Sequence, residues 1–278
     1  MSNIHTLPHA NQREAEGQPH ALAHAYAELA ISSNFSFLRG ASHPEEFVKQ
    51  AKVLGLTGIG IADRNSVAGV VRAYKAAEEL NEEIRALNRK HDTDEPELKL
   101  AVGARLVFAD GTPDILAYPR DRAAWGRLTR LLTAGKSRAD KGGCILFLDD
   151  LIEHSAGLNL IVLPPARLPR RRRNVSAHSR VSGNPEFRTG SPPSRGRAEL
   201  EWDDGLEHTL FSLKDAASPR SVWLGASMLY RGDDSRRLAR LAAIAADARI
   251  PLIAVTTCSI TRPNGGHCRM SSPASASM

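Results

Sequence analysis

The chain has 278 residues, of which 42% are hydrophobic and 24% charged, and its formal net charge is +6. These proportions are ordinary for one large or two small globular domains, so they exclude disorder over the full length. No apolar run reaches the roughly 18 residues of a transmembrane helix, and the polar N-terminal region lacks the pattern of a secretory signal. Three cysteines (Cys144, Cys258 and Cys268) cannot form a closed set of disulfides, which favours a cytoplasmic protein.

The positive net charge comes from a single segment. Residues 167–198 contain nine arginines and one acidic residue, Glu186, whereas the rest of the chain is slightly acidic. The high pI therefore does not indicate nucleic-acid binding by the folded part. Because the segment is rich in Ser, Pro and Gly and has no apolar periodicity, we predict that it is a disordered, arginine-rich insertion.

Strands and helices alternate along the chain after a predicted flexible leader, residues 1–25. A first strand precedes a helix that begins at Ser42, with Glu45 at capping-box spacing. A buried strand ending at Asp63 precedes a long helix that Ser66 is expected to cap, and Asp121 is expected to cap a third helix. Apolar runs predict seven strands in all, centred on Ala30, Ile61, Val102, Leu116, Ile161, Leu224 and Ile253.

This alternation predicts an α/β domain with a mainly parallel sheet, either a barrel or an open doubly wound sheet. The first part covers residues 26–166, and the second part covers residues 199–255, beyond the insertion. No glycine-rich phosphate-binding motif occurs, so the nucleotide-binding versions of the open fold have no support.

Asp63 is the best single candidate for chemistry. It stands at the C-terminal end of a buried strand, where α/β folds place their functional residues. The alternative is structural, because a carboxylate there can also cap the following helix or brace a loop. The histidines are too scattered to predict a metal site, and no Ser/His/Asp set is apparent.

Two stretches carry a resemblance to a known family: YAELAISSNFSFLRGASHPEEFV (26–48) and GLTGIGIADRNSVAGVVRAY (55–74). They resemble the N-terminal PHP domain of C-family bacterial DNA polymerases, the DNA polymerase III alpha subunit, and above all its error-prone branch. The likeness continues on both sides of the arginine-rich insertion as far as Val255. It implies a PHP-type distorted (β/α)7 relative of the TIM barrel, here incomplete at the C-terminus.

The resemblance also implies a degenerate metal site. Metal-binding PHP domains hold a cluster of ions with histidines and acids, and the cluster hydrolyses phosphate esters. The family's first H-x-H falls on Ala30 and Ser32, its T-D-H-G keeps Asp63 but has Arg64 for the histidine, and its G-A-E ends in Arg105. We therefore expect a vestigial site with no catalytic residue, no metal and no other cofactor. In it, Asp63 should accept hydrogen bonds from a neighbouring arginine or from the backbone, with Arg64 and Arg105 as the candidate arginines within salt-bridge reach.

Three functions follow from these observations. The first is a truncated PHP fragment of an error-prone DNA polymerase, inactive by itself, whose full-length relatives meet DNA and replication or translesion accessory proteins. The second is a stand-alone PHP phosphoesterase, and the third is a nucleic-acid-binding adaptor that uses the arginine-rich segment. No membrane partner is expected.

The family resemblance ends abruptly at Thr256. The Ser- and Pro-rich residues 256–278 have no hydrophobic period, so we predict an aberrant, disordered tail. Restoring one base before codon 256 allows a family-like continuation, which predicts that the tail arose by a frameshift.

Overall fold

The computed structural model describes residues 26–165, 202–230 and 232–256. Seven strands in these ranges form one sheet in chain order, β1 to β7. Their bounds are Ala27–Ile31, Gly58–Arg64, Lys99–Leu106, Ile115–Pro119, Leu158–Val162, Val222–Ala226 and Leu252–Ala254. All seven predicted strand centres lie within these strands, which confirms the strand predictions and the α/β class. The predicted leader (1–25), the arginine-rich segment (167–198) and the tail beyond Thr256 lie outside the described residues.

The fourth strand, β4, runs against the other six. It pairs antiparallel with β3 and with β5, whereas the remaining neighbours in the sheet are parallel. The reason is the short connection from Val107 to Asp114, because a parallel crossover needs about a dozen residues or more. The prediction of a mainly parallel sheet therefore holds except at β4.

Six helices accompany the strands in the described residues. They are α1 to α6, at Pro44–Val53, Val70–His91, Arg122–Ser137, Leu148–His154, Trp202–Ala216 and Asp234–Ala248. None of them is both long and apolar enough to cross a membrane.

Apolar side chains fill both faces of the sheet. On one face the helices cover two clusters, one around α1 and α2 and a larger one around α3 to α6. The other face encloses a separate cluster that draws on strands from one end of the sheet to the other: Ala30, Ala62, Leu116, Tyr118, Ile161, Leu163 and Val255. Because residues near β1 and β7 share this cluster, the sheet curls into an open barrel.

Two of the three predicted helix starts are displaced. The first helix begins at Pro44 behind His43, and the second begins at Val70 behind Gly69, four residues after Ser66. Glu46, not Glu45, completes the first cap by accepting a hydrogen bond from the His43 N–H at 2.9 Å. The third start is confirmed, because the Asp121 carboxylate accepts from the Ala124 N–H at 2.7 Å.

Side chains rather than a strand ladder bridge the gap between β1 and β7. Glu28 is 1% exposed, and its carboxylate accepts from the Ala30 N–H at 2.9 Å and from the Thr256 N–H at 3.3 Å. The Tyr118 hydroxyl crosses the interior and donates to the Leu29 carbonyl. The Ala30 N–H and the Leu29 carbonyl of β1 thereby find side-chain partners instead of strand partners.

The Glu28 carboxylate predicts a pH-dependent stability. Burial raises the pKa of Glu28 above its ordinary value of 4.5, so the folded state binds the proton more tightly than the unfolded state. The stabilisation from this proton is complete below pH 4.5 and is lost as the pH rises through the higher folded-state pKa. Glu28→Gln stays neutral, so its free energy of unfolding relative to the wild type should increase as the pH rises above 4.5.

Urea unfolding across this pH range measures the difference, with the exposed Glu82→Gln as the control. A gap between Glu28→Gln and the wild type that stays constant with pH would contradict the prediction.

Candidate functional site

A cavity of about 850 Å³ opens at the carboxyl ends of the parallel strands. Four of the five residues predicted for the vestigial site line it: Ala30, Ser32, Arg64 and Arg105. Asp63 does not line the cavity and is only 1% exposed. The curled sheet thus brings the positions together, but it places the predicted acid behind the cavity wall.

The Asp63 carboxylate is fully engaged by the loop after β1. The Ser33 N–H donates to Oδ1 at 2.8 Å, the Ser33 hydroxyl lies 2.8 Å from Oδ2, and the Ser36 hydroxyl donates to Oδ1 at 2.7 Å. Ser36 Oγ in turn accepts from the Arg64 N–H at 2.9 Å. These contacts tie the loop to the end of β2, which supports the loop-bracing alternative for Asp63.

Gly69, directly before α2, packs closely against the Asp63 carboxylate. A Cβ at this position would lie 2.5 Å from Asp63 Oδ2 and 2.8 Å from the Ser33 hydroxyl oxygen, closer than real Cβ contacts. A larger residue there would displace the carboxylate. The strand end, the loop and the helix start therefore pack closely together at Asp63.

Of the two kinds of donor expected for Asp63, the backbone donor is observed, as the Ser33 N–H, whereas neither Arg64 nor Arg105 pairs with it among the described residues. Arg105 instead pairs with Asp114, with Nε and Nη2 at 2.8 Å and 2.7 Å from the same oxygen. Arg64 is exposed, and partial burial together with the neighbouring Arg39 and Arg105 lowers the pKa of its guanidinium. The buried acid prefers neutral donors because these lie on the adjacent loop, within reach without desolvating a guanidinium.

Sequence reasoning missed Asp114, the partner of Arg105. Asp114 directly precedes β4, and the antiparallel register sets Arg105 opposite Leu116. Recognising the short connection as a hairpin would have placed Asp114 beside the end of β3.

Comparison with known proteins shows the family. Residues 28–165 match the PHP domain family. The chain is 44% identical over 234 residues to an error-prone DNA polymerase of Bradyrhizobium sp. (strain ORS 278), and 46% identical over 230 residues to one of Rhodopseudomonas palustris (strain BisB5). These matches cover 82% and 83% of this chain.

The chain belongs to the PHP domain family. Over most of its length it is similar to error-prone DNA polymerases. It spans only 16% and 17% of the length of the two polymerases. Among solved structures, one named as a metal-dependent phosphoesterase from Bifidobacterium adolescentis matches with a TM-score of 0.49 and 15% identity, covering 86% of this chain and 90% of that one.

The residues of this PHP barrel do not fit a metal cluster. Ala30 has no donor atom, Ser32 lies 3.4 Å from the Ala62 carbonyl, and the Asp63 oxygens face Ser33 and Ser36. Arg64 and Arg105 bring positive charge to the positions where the family's ligands fall. Within the described ranges, no group of three or more His, Cys, Asp or Glu side chains could hold a metal ion.

Replacing Asp63 by Asn should destabilise the barrel by about 1–3 kcal/mol, because the amide turns a donor toward N–H and O–H groups that need acceptors. Urea unfolding measures the loss, and Asp94→Asn, at an exposed position, serves as the control. A change as small as that of Asp94→Asn would contradict the structural role of the carboxylate.

Proposed function

We propose that this chain provides a non-catalytic PHP barrel of the error-prone DNA polymerase type, with no phosphoesterase activity and no bound metal. The single observation that carries the proposal is the hydrogen bonding of the buried Asp63 carboxylate. Its two oxygens already receive the Ser33 and Ser36 donors inside the wall of the cavity. The carboxylate therefore braces the loop and is not available as a ligand.

The stand-alone phosphoesterase is the weaker candidate. Hydrolysis of a phosphate ester by a metal-activated water needs several anionic or imidazole ligands around an open site. The cavity instead presents Arg39, Arg64 and Arg105, and Asp114 is the acidic residue among those lining it. Because Asp114 is already paired with Arg105, it offers little charge to hold an ion.

DNA synthesis is proposed for the longer polymerases of the family and not for this barrel. The similarity of the chain to the error-prone branch supports a role of the longer protein in translesion synthesis and repair, with DNA and accessory replication proteins as partners. A cytoplasmic location is consistent with the free thiol of Cys144. In this setting the barrel contributes a folded platform and no catalytic group.

Metal analysis tests the proposal. The purified full chain, incubated with Zn²⁺ or Mn²⁺ and then desalted, should retain no stoichiometric metal and should not hydrolyse a p-nitrophenyl phosphate ester. A matched variant restores the family's ligands through Ala30→His, Ser32→His, Arg64→His and Arg105→Glu. It should retain more metal than the wild type, because imidazoles and a carboxylate then replace the two cations.

Elemental analysis of both proteins gives the answer. Stoichiometric metal on the wild type that Asp63→Asn removes would overturn the proposal, since the carboxylate would then be a ligand.

A further inference from the structure

Two cavities adjoin at the mouth of the barrel. One is the cavity of about 850 Å³ described above, and the other, of about 670 Å³, lies beside it toward the C-terminal end of α3. Phe37 and Arg64 line both of them. They therefore form one extended depression, with an aromatic ring and a guanidinium where they join.

Positive charge collects in this depression. Arg39 lines the first cavity, and Lys136 and Lys141 line the second. Among the described residues, neither Arg39 nor Arg64 has a carboxylate within 4.0 Å of its guanidinium. Partial burial, followed by repulsion from Arg39, lowers the pKa of Arg64. Two neighbouring guanidiniums without counter-charges favour an occupant that brings carboxylates to both of them.

The same junction exposes apolar side chains. Phe37 is 84% exposed, and Leu38 beside it is 82% exposed. Their loop is held at its base, because Ser33 and Ser36 donate to the Asp63 carboxylate. The ring and the two guanidiniums therefore lie on an anchored surface that an occupant can cover without first ordering the loop.

One segment of the chain has the charge that complements this surface. Residues 166–201 contain nine arginines and three acidic residues, and residues 257–278 contain two arginines and no acidic residue. Residues 1–25, in contrast, contain one basic residue, Arg13, and two acidic residues, Glu14 and Glu16. Among these three segments, the N-terminal one alone supplies more negative than positive side chains.

This N-terminal segment is also long enough to reach the depression. It joins the barrel at the amino end of β1, and the mouth lies at the carboxyl end of this five-residue strand, about 17 Å away. Eleven residues separate Glu16 from Ala27, and they span up to about 36 Å when extended. The side of the barrel between β1 and β7 carries no strand among the described residues, so it offers a direct path.

We propose that residues 1–25 fold back into the depression of the same chain, with the Glu14 and Glu16 carboxylates on the Arg39 and Arg64 guanidiniums. The segment then covers Phe37 and closes the cavity from within the chain. Because it is tethered, its effective concentration at the depression is on the order of millimolar, so even weak ion pairs hold it there.

This self-occupied mouth goes beyond the proposed non-catalytic scaffold, to which no occupant was assigned. Its test is independent, because metal content does not enter the measurement.

Distances between two spin labels on the full chain test the proposal. The background protein has serine in place of its cysteines: Cys144, Cys258 and Cys268. Ala15→Cys places one label between the two glutamates, and Ala109→Cys places the other at the exposed connection after β3, beside the mouth. A second labelled pair, Lys90→Cys with Ala109→Cys, spans the barrel and reports whether a variant still folds.

Reversing either set of charges should release the segment. With Glu14→Lys and Glu16→Lys together, the distribution of distances between labels 15 and 109 should become at least about twofold wider, as for a flexible chain. Arg39→Glu together with Arg64→Glu should widen it equally. All four substitutions combined restore opposite charges and should return the narrow distribution, whereas about 1 M salt should widen that of the background protein.

A matched control makes the same change in net charge elsewhere. Glu82→Lys with Glu83→Lys reverses two exposed acidic residues of α2 and should leave the distribution between labels 15 and 109 narrow. The distance between labels 90 and 109 should be the same in every variant.

Three results would overturn the proposal. The first is a broad distribution between labels 15 and 109 already in the background protein. The second is a narrow distribution that neither charge reversal widens, or that the four combined substitutions fail to restore. The third is a narrow distribution that disappears when an excess of unlabelled chain is added, because the segment would then occupy the depression of a second copy.

Discussion

The engagement of the Asp63 carboxylate by Ser33 and Ser36 is the interaction on which the mouth of the barrel depends. A carboxylate that is 1% exposed is costly unless every oxygen finds a donor, and the loop after β1 supplies these donors at 2.7–3.0 Å. The same contacts fix the loop that carries Phe37 and Leu38 and place Arg64 at the cavity wall. The Asp63 carboxylate is thus a structural brace between this loop and the end of β2.

This brace works only because the sheet is curled. The interior cluster that joins Ala30 to Val255 brings the two ends of the sheet together, and Glu28 and Tyr118 pair backbone groups that a closed barrel would pair by strands. With β4 reversed, the hairpin from β3 delivers Asp114 to the same mouth as Arg105. The cavity is therefore lined by the Arg105–Asp114 ion pair and not by a set of unpaired carboxylates.

The strands could be predicted from the sequence because each is a short apolar run bounded by turn residues, as in Gly58–Asp63, whose six residues are all buried. The starts of the first two helices were harder to predict from the sequence. The first helix is capped by His43, a residue type that seldom caps. Ser66 forms a turn that closes before the second helix begins. Asp121, with a common capping side chain, was correctly predicted.

The site was predicted as a set of positions but not as a set of contacts. The family resemblance supplied the positions, because the family's motifs fall on Ala30, Ser32, Arg64 and Arg105, and these four residues line the cavity. The partners of Asp63 and Arg105 depend on loop geometry and on the register of the β3–β4 hairpin. Neither is encoded in a local pattern, since both arise only when distant segments pack.

A double-mutant cycle between Asp63→Asn and Ser36→Ala tests the structural role of the carboxylate most directly. Unfolding free energies of the wild type, the two single variants and the double variant give the coupling between the side chains. A direct, buried hydrogen bond at 2.7 Å predicts a coupling of about 1 kcal/mol or more. Additivity within about 0.3 kcal/mol would contradict it, because Asp63 would then not hold the loop through Ser36.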